Sequence, residues 1–289
     1  MRTLILIDFS WLYNKYYYVA KYSLSQDRGE LSKENFRETL LRMLRQFLNL
    51  VNKSYPNSKI MLALDSPTTS LKNYKLFDGY KQNRNKEEKK EVYSYLDKIL
   101  IDLIKSLDSK VFYFIREKHY EADQLLAYIV KNLHKKKSIL LFSGDKDLLQ
   151  LTAYENVFVS EKFEKGKFLI KTDEEIFQKF KNSKGEDFTR ISTNKKDILK
   201  YRVLKGDTSD NLSPVFPRIR DKDIIDIIQN YWIDEEELTE ERIKDILDDL
   251  KYDNLVLAEK LEYNKDIWLR NYKIMDLLHV EDIKFKRLR

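Results

Sequence analysis

The 289-residue sequence has no cysteine, only three histidines and only six glycines. Without cysteine there is no disulfide, thiolate zinc site, iron–sulfur cluster or cysteine nucleophile. The glycines stand singly, at Gly29, Gly79, Gly144, Gly166, Gly185 and Gly206, so no dinucleotide-binding or phosphate-binding glycine loop can form. His119, His134 and His279 are too scattered for a helical His pair on zinc. No apolar run approaches the roughly 18 residues of a membrane helix. The early run Leu4–Ile7 meets Asp8 too soon to be a signal-peptide core, which predicts a cytoplasmic protein with no membrane partner.

What is present is core-forming and charged. Hydrophobic residues make up 42% and charged ones 35%, so a folded domain is expected rather than disorder. The net charge of +6 is mild, and its distribution says more than its sum. Lys72, Lys75, Lys81, Arg84, Lys86, Lys89 and Lys90 crowd one stretch. Lys205, Arg218, Arg220 and Lys222 belong to a second basic zone, and residues 234–253 are strongly acidic. Two basic zones and one acidic zone suit a protein with one face toward nucleic acid, because like charge near phosphate weakens binding.

Four short runs rich in Ile, Val, Leu and Phe predict buried strands at Leu4–Ile7, Ile60–Leu64, Val111–Ile115 and Ile139–Phe142, with a weaker fifth at Val157–Val159. Helical spacing lies between them: Phe36, Leu40, Leu44, Phe47, Leu48 and Val51 form one stripe after a Ser32 cap, and Tyr93–Leu107 and Glu121–Leu133 repeat the pattern. This alternation predicts an α/β fold with a mostly parallel sheet covered on both faces. From about Lys196 short helices dominate, and Asn182–Asp187 reads as an exposed connection.

Acidic residues follow these strands. Asp8 and Asp65 come at or just past the first two, Glu121 and Asp123 open the helix after the third, and Asp145 and Asp147 follow the fourth. Parallel strands would bring these to one edge, where open α/β sheets bind ligands, and Asp207 and Asp210 could join them from the second half. So many carboxylates cannot share a pocket unpaired. A divalent ion relieves the repulsion, and an all-oxygen donor set suits magnesium or manganese better than zinc.

The stretches L-I-D-F-S (Leu6–Ser10), L-D-S (Leu64–Ser66), Y-K-Q-N-R (Tyr80–Arg84), Y-E-A-D-Q (Tyr120–Gln124), S-G-D-K-D (Ser143–Asp147), K-G-D-T-S-D-N (Lys205–Asn211) and R-N-Y-K-I-M-D-L (Arg270–Leu277) together resemble the 5′-nuclease family of flap endonucleases and 5′→3′ exonucleases, nearest its phage ribonuclease H branch. The resemblance implies a PIN-like nuclease core over 1–185 with a helical arch at about 72–107, and a helical DNA-binding region over 186–289 containing a helix–hairpin–helix-like element. It implies a first metal site of Asp8, Asp65, Glu121 and Asp123, and a second of Asp145, Asp147, Asp207 and Asp210, holding two Mg2+ ions for which Mn2+ substitutes. Lys81 and Arg84 match arch residues that reach the scissile phosphate.

Lys72, Lys75, Lys86, Lys89, Lys90, Lys205, Arg218, Arg220 and Lys222 are the expected DNA contacts. Tyr13, Tyr16 and Tyr17, just past Asp8, are candidates for stacking an unpaired nucleotide. The implied activity is removal of RNA primers and 5′ flaps during phage-type replication by a monomer. Its implied partners are DNA and RNA·DNA duplexes, with a single-strand-binding protein and a sliding clamp. A PIN-like ribonuclease and a catalytically weak DNA-binding module are the alternatives. Two departures from the family pattern stand out: Gln124 where many relatives carry an acid, and the glycine-free stretch Ser213–Arg220.

Overall fold

The computed structural model describes residues 3–26, 32–66, 71–177, 194–233 and 236–288. Five strands form the expected parallel sheet: β1 (Thr3–Asp8), β2 (Lys59–Ala63), β3 (Phe112–Arg116), β4 (Ser138–Phe142) and β5 (Val157–Ser160). A hairpin of β6 (Lys162–Glu164) and β7 (Lys167–Leu169), and a short antiparallel β8 (Lys286–Arg287) beside β3, complete the strands; the apolar pattern does not foretell these three. Spatial order is β5-β4-β1-β2-β3-β8. The chain leaves β1 toward β2 on one side and later fills β4 on the other, so the order reverses between β1 and β4. A crevice opens at the carboxyl ends of strands around such a reversal.

β1 alternates faces, as a strand must. Ile5 and Ile7 point into one core, with α1 (Phe9–Gln26), α2 (Lys33–Ser54) and α5 (Leu96–Ser106). Leu4 and Leu6 point into the other. There α6 (Ala122–Leu133) packs together with α8 (Asp197–Lys205), α9 (Asp221–Asp226), α10 (Glu240–Asp253), α11 (Leu255–Tyr263) and α12 (Lys265–Met275). This second core runs without a break from the sheet to Trp232 and Trp268. The expected division at 185/186 and the Asn182–Asp187 connection lie outside the described residues, as do Asp234 and Glu235 of the acidic stretch.

The α2 stripe is buried as its spacing predicts, and Ser32 caps the helix by accepting from the Asn35 amide. The apolar run Tyr93–Leu107 is not one helix. It belongs to α4 (Lys86–Tyr93), capped by Asn85, and α5, with Ser94 and Tyr95 as the break. With α3 (Leu71–Leu76) and the turn to Asn85, these helices make up the segment 71–106. The Tyr17 hydroxyl donates to Glu91 and the Tyr18 hydroxyl to Glu88, which fastens α4 to α1.

Tyr13 and Tyr17 correct an expectation. Both are core residues, at 0% and 2% exposure, and the Tyr13 hydroxyl donates to the Val92 carbonyl. Helix α1 turns this aromatic face inward, so neither ring can stack a nucleotide without leaving the core. Tyr16 is partly buried and packs on Phe47.

Candidate functional site

The crevice is built from β-strand ends. Asp8 closes β1 and is only 6% exposed; Ser143, the first residue past β4, donates its hydroxyl to Asp8 Oδ2 at 2.9 Å, and the Trp11 amide donates to Oδ1 at 3.0 Å. Ser143 Oγ also accepts from the Asp145 amide. The neighbouring strands β1 and β4 are thereby joined at their carboxyl ends. Gly144 fits here because the indole of Trp11 lies where a Cβ would be, 2.6 Å from that position at Nε1. On the other side of β1, Ser10 Oγ accepts from the Asp65 amide, and Asp65 Oδ1 accepts from the Ala122 amide. That second bond sets Asp65 against the N-terminus of α6, a favourable place for a carboxylate.

At the start of α6, Glu121 and Gln124 form a capping box, with Gln124 Oε1 accepting from the Glu121 amide at 3.0 Å. Gln124 is therefore a helix cap, not a neutral metal ligand. Its amide does work for which an acid at this position would serve as well, so the departure does not empty the site.

The second half reaches the crevice through the turn after α8. Gly206 has φ of +75°, and a Cβ there would lie 2.5–2.6 Å from the backbone of Leu212, Ser213 and Pro214. Only glycine permits that approach. It brings Asp207 and Leu212 into a bridge and sets Asp207 as cap of the short turn ending at Asp210. The buried Asn271 staples this loop, donating to the Val203 carbonyl at 3.1 Å and the Ser213 carbonyl at 2.9 Å. The Arg-Asn pair of the late motif is thus a support for the loop, with the Arg270 guanidinium 4.3 Å from the centre of the Phe77 ring.

The acids converge, and three cations lie among them. Lys81 Nζ is 2.7 Å from each Glu121 oxygen and 3.7 Å from Asp210. The Tyr80 hydroxyl donates 3.1 Å bonds toward Glu121 and Asp210, and Arg84 pairs with Asp210 at 2.5 Å. Arg202, 9% exposed at the side chain, bridges Asp147 and Asp207. Asp210 is therefore shared with Glu121, whereas the resemblance groups it with the other acid set. Tyr80 and Arg202 were not singled out as site residues. Their signal lay within the quoted Y-K-Q-N-R stretch and beside K-G-D-T-S-D-N, but burial between acids is a tertiary fact.

Electrostatics record the crowding. Burial, then the charge of Asp65, pushes the Asp8 carboxyl from 3.8 up to about 7. Burial also pushes Asp147 up to about 7, with Arg202 opposing and Asp145 reinforcing the rise. Asp123 is raised well above the carboxylate range by burial and then Glu121. Burial opposes the Lys81 charge, but Glu121 and Asp210 outweigh it and hold the ammonium above its ordinary range. Among the described residues no three His, Asp or Glu side chains stand close enough to form a finished metal cage. The donors nonetheless suit a hard cation: all are carboxylates, several are buried, and protonation or internal lysine and arginine currently balance them.

The expected DNA contacts fare unevenly. Lys75, Lys90, Arg218 and Lys222 are exposed. Lys205 is paired with Asp221 at 2.7 Å, and Arg220 with Asp223 at 2.6 Å. Lys72 lies on α3, and Lys86 and Lys89 on α4. Arg218 holds φ of +61° in the glycine-free stretch Ser213–Arg220 before α9, so the left-handed position is filled by an arginine.

This chain has known relatives and its fold has known counterparts. The 5′-3′ exonuclease N-terminal resolvase-like domain matches residues 3–181. A 5′-3′ exonuclease of Buchnera aphidicola subsp. Schizaphis graminum is 25% identical over 99% of this chain and 86% of its own length. One from Mycoplasmopsis pulmonis is 26% identical over 91% and 75%. Among solved structures, the T5 D15 protein co-crystallised with metal ions superposes with a TM-score of 0.64 at 19% identity, covering 96% of this chain and 90% of that one. Since the domain match spans more than half of the sequence, the chain belongs to the 5′-3′ exonuclease family of nucleic-acid-hydrolysing enzymes.

Proposed function

We propose that this enzyme is a magnesium-dependent 5′→3′ exonuclease and flap endonuclease that removes RNA primers and 5′ flaps in phage-type replication, leaving 5′-phosphorylated products. The observation that carries this reading is the gathering of Asp8, Asp65, Glu121, Asp123, Asp145, Asp147, Asp207 and Asp210 at the edge where the sheet order reverses. The 5′-3′ exonuclease relatives and the metal ions in the T5 D15 protein support it.

Asp8, Asp65, Glu121 and Asp123 would hold one Mg2+ ion and Asp145, Asp147, Asp207 and Asp210 another, with Mn2+ as a substitute. When bound, such ions activate water and stabilise charge on the attacked phosphate. The chain's own groups do the rest. Ser143 and the Trp11 amide fix the Asp8 carboxylate, and the Ala122 amide fixes Asp65, so these donors enter the reaction already oriented. Lys81 and Arg84 serve as counter-ions for Glu121 and Asp210 before substrate arrives, and are placed to turn to the phosphate once the acids are neutralised. Arg202 keeps Asp147 and Asp207 facing each other.

Duplex binding falls to exposed Lys75, Lys90, Arg218 and Lys222, together with Lys72, Lys86 and Lys89 of the arch helices. RNA·DNA hybrids, a single-strand-binding protein and a sliding clamp are proposed partners of a monomeric enzyme. No helix among the described residues is long and apolar enough to cross a membrane, and the proposed location is the cytoplasm.

The test is cleavage of an end-labelled 5′-flap duplex with magnesium and with chelator, beside a structured RNA. The expected result is magnesium-dependent cutting near the flap junction with the RNA spared. Preferential cutting of the RNA would instead assign the fold to a PIN-like ribonuclease.

A further inference from the structure

One cavity to which the nuclease reading gives no role is lined by residues of several elements. A space of about 390 Å³ lies between the end of α6, the 3-10 helix Asp147–Ala153, the start of α8 and the end of α12. That volume is in the range of small-molecule sites. Its walls are aromatic. The His134 and Tyr154 rings lie 4.6 Å apart at 37°, and Trp232 and Tyr272 lie 6.2 Å apart. The lining carries Lys135, Lys196 and Lys200 with Glu155 and Glu236, and Lys200 is paired with the buried Asp197 at 3.4 Å, which leaves Lys135 and Lys196 as the basic groups for an anion. Lys135 is exposed at the mouth, whereas Lys200 is buried and donates to the Trp232 carbonyl at 2.6 Å.

Two buried ring nitrogens at this cavity are unsatisfied. His134 Nδ1 and Trp232 Nε1 have no hydrogen-bond partner, and the two residues are only 8% and 1% exposed. Buried polar atoms without partners are rare in folded proteins. Both residues line the cavity.

We propose that this cavity binds a nucleoside monophosphate. A planar base suits the aromatic walls, its acceptor and donor edges suit Trp232 Nε1 and His134 Nδ1, and its phosphate suits Lys135 and Lys196. The site is separate from the acid crevice. It lies at the far end of the 3-10 helix that begins at Asp147, a span of about 12 Å at 2 Å per residue. Helix α8 touches both places, with Lys200 at the cavity and Arg202 at the acids.

Isothermal titration calorimetry of the whole chain with adenosine monophosphate, in metal-free buffer, tests this. Lys135→Glu alters only the exposed mouth, and Trp232→Phe removes the indole N–H while keeping an aromatic wall. Saturable binding that either variant weakens by about tenfold supports the site. Absence of saturable binding, or binding that both variants leave unchanged, overturns it. A 5′-phosphorylated tetranucleotide in the same titration separates the two sources of this chemistry: equal affinity assigns the cavity to a strand end, and weaker binding assigns it to the free mononucleotide.

Discussion

Lys81 Nζ donates to both carboxylate oxygens of Glu121 at the same distance, 2.7 Å, with 14% and 11% of the two side chains exposed. A buried pair of this kind is not needed to hold the arch, whose helices have their own apolar contacts. Its sense lies in charge balance. Replacing Lys81 by Ala should leave duplex affinity within about threefold, since that affinity is spread over many phosphate contacts. Single-turnover cleavage should fall by about 10²–10³-fold, the usual loss when a fixed electrostatic stabiliser is removed. Fluorescence anisotropy beside quench-flow separates the two effects, and a loss of binding equal to the loss of rate would deny Lys81 a role in the reaction.

The raised Asp8 carboxyl gives stability a definite pH trend. In the unfolded chain this group loses its proton near 3.8, and in the folded chain near 7, because burial and Asp65 disfavour its charge. Between those values the folded state binds the extra proton, so the metal-free enzyme loses stability as pH rises. Asp147 shifts the same way. His279, raised chiefly by its hydrogen bond to Asp276, also contributes stability at low pH that is lost as pH rises through its folded value. In chelator the Tm should be lower at pH 8 than at pH 5.5 by about 2–4 °C or more. Magnesium should restore it. A Tm that climbs over this interval in chelator would contradict the assignment.

Gly206 is required by backbone geometry. At φ of +75° with backbone atoms 2.5–2.6 Å from a hypothetical Cβ, Gly206→Ala should cost about 2 kcal/mol or more and move Asp207 and Asp210 out of register. Urea unfolding measures the first effect and loss of cleavage the second. An alanine variant as stable as the parent would show that the α8–α9 turn is built differently.

Asn271 has no exposed surface and holds two carbonyls of that same turn. Asn271→Ala leaves the carbonyls of Val203 and Ser213 without these donors, and about 2 kcal/mol of destabilisation is expected. Asn271→Asp should be worse, because a carboxylate cannot donate to either carbonyl. Thermal unfolding of the pair checks the order.

The five parallel strands and the acids at their ends were legible because fully buried strands show as apolar runs and because the chain places each acid at or shortly after such a run. Position along a strand fixes position along the sheet edge, so Asp8, Asp65 and Asp145 could be grouped without a structure. The pairings could not. Arg202 reads as one of many basic residues until α8 turns it between Asp147 and Asp207. Tyr13 and Tyr17 read as stacking candidates beside Asp8, but the rotation of α1 puts them in the core. Gln124 reads from sequence only as a departure from the family's acid, because a capping box is recognised by hydrogen bonds and the spacing alone does not reveal it. β8 was invisible, since two residues carry no periodicity.

In the proposed function the converging carboxylates perform the cleavage, while lysine and arginine hold the nucleic acid. Cleavage of a 5′-flap duplex in magnesium by Asp145→Ala and Asp147→Ala, with affinity measured in parallel, tests it most directly. The expected outcome is a rate lowered by at least about 10³-fold with binding retained, consistent with loss of metal-assisted hydrolysis. If either variant cuts at the parental rate in magnesium, the acid crevice is not where the bond is broken.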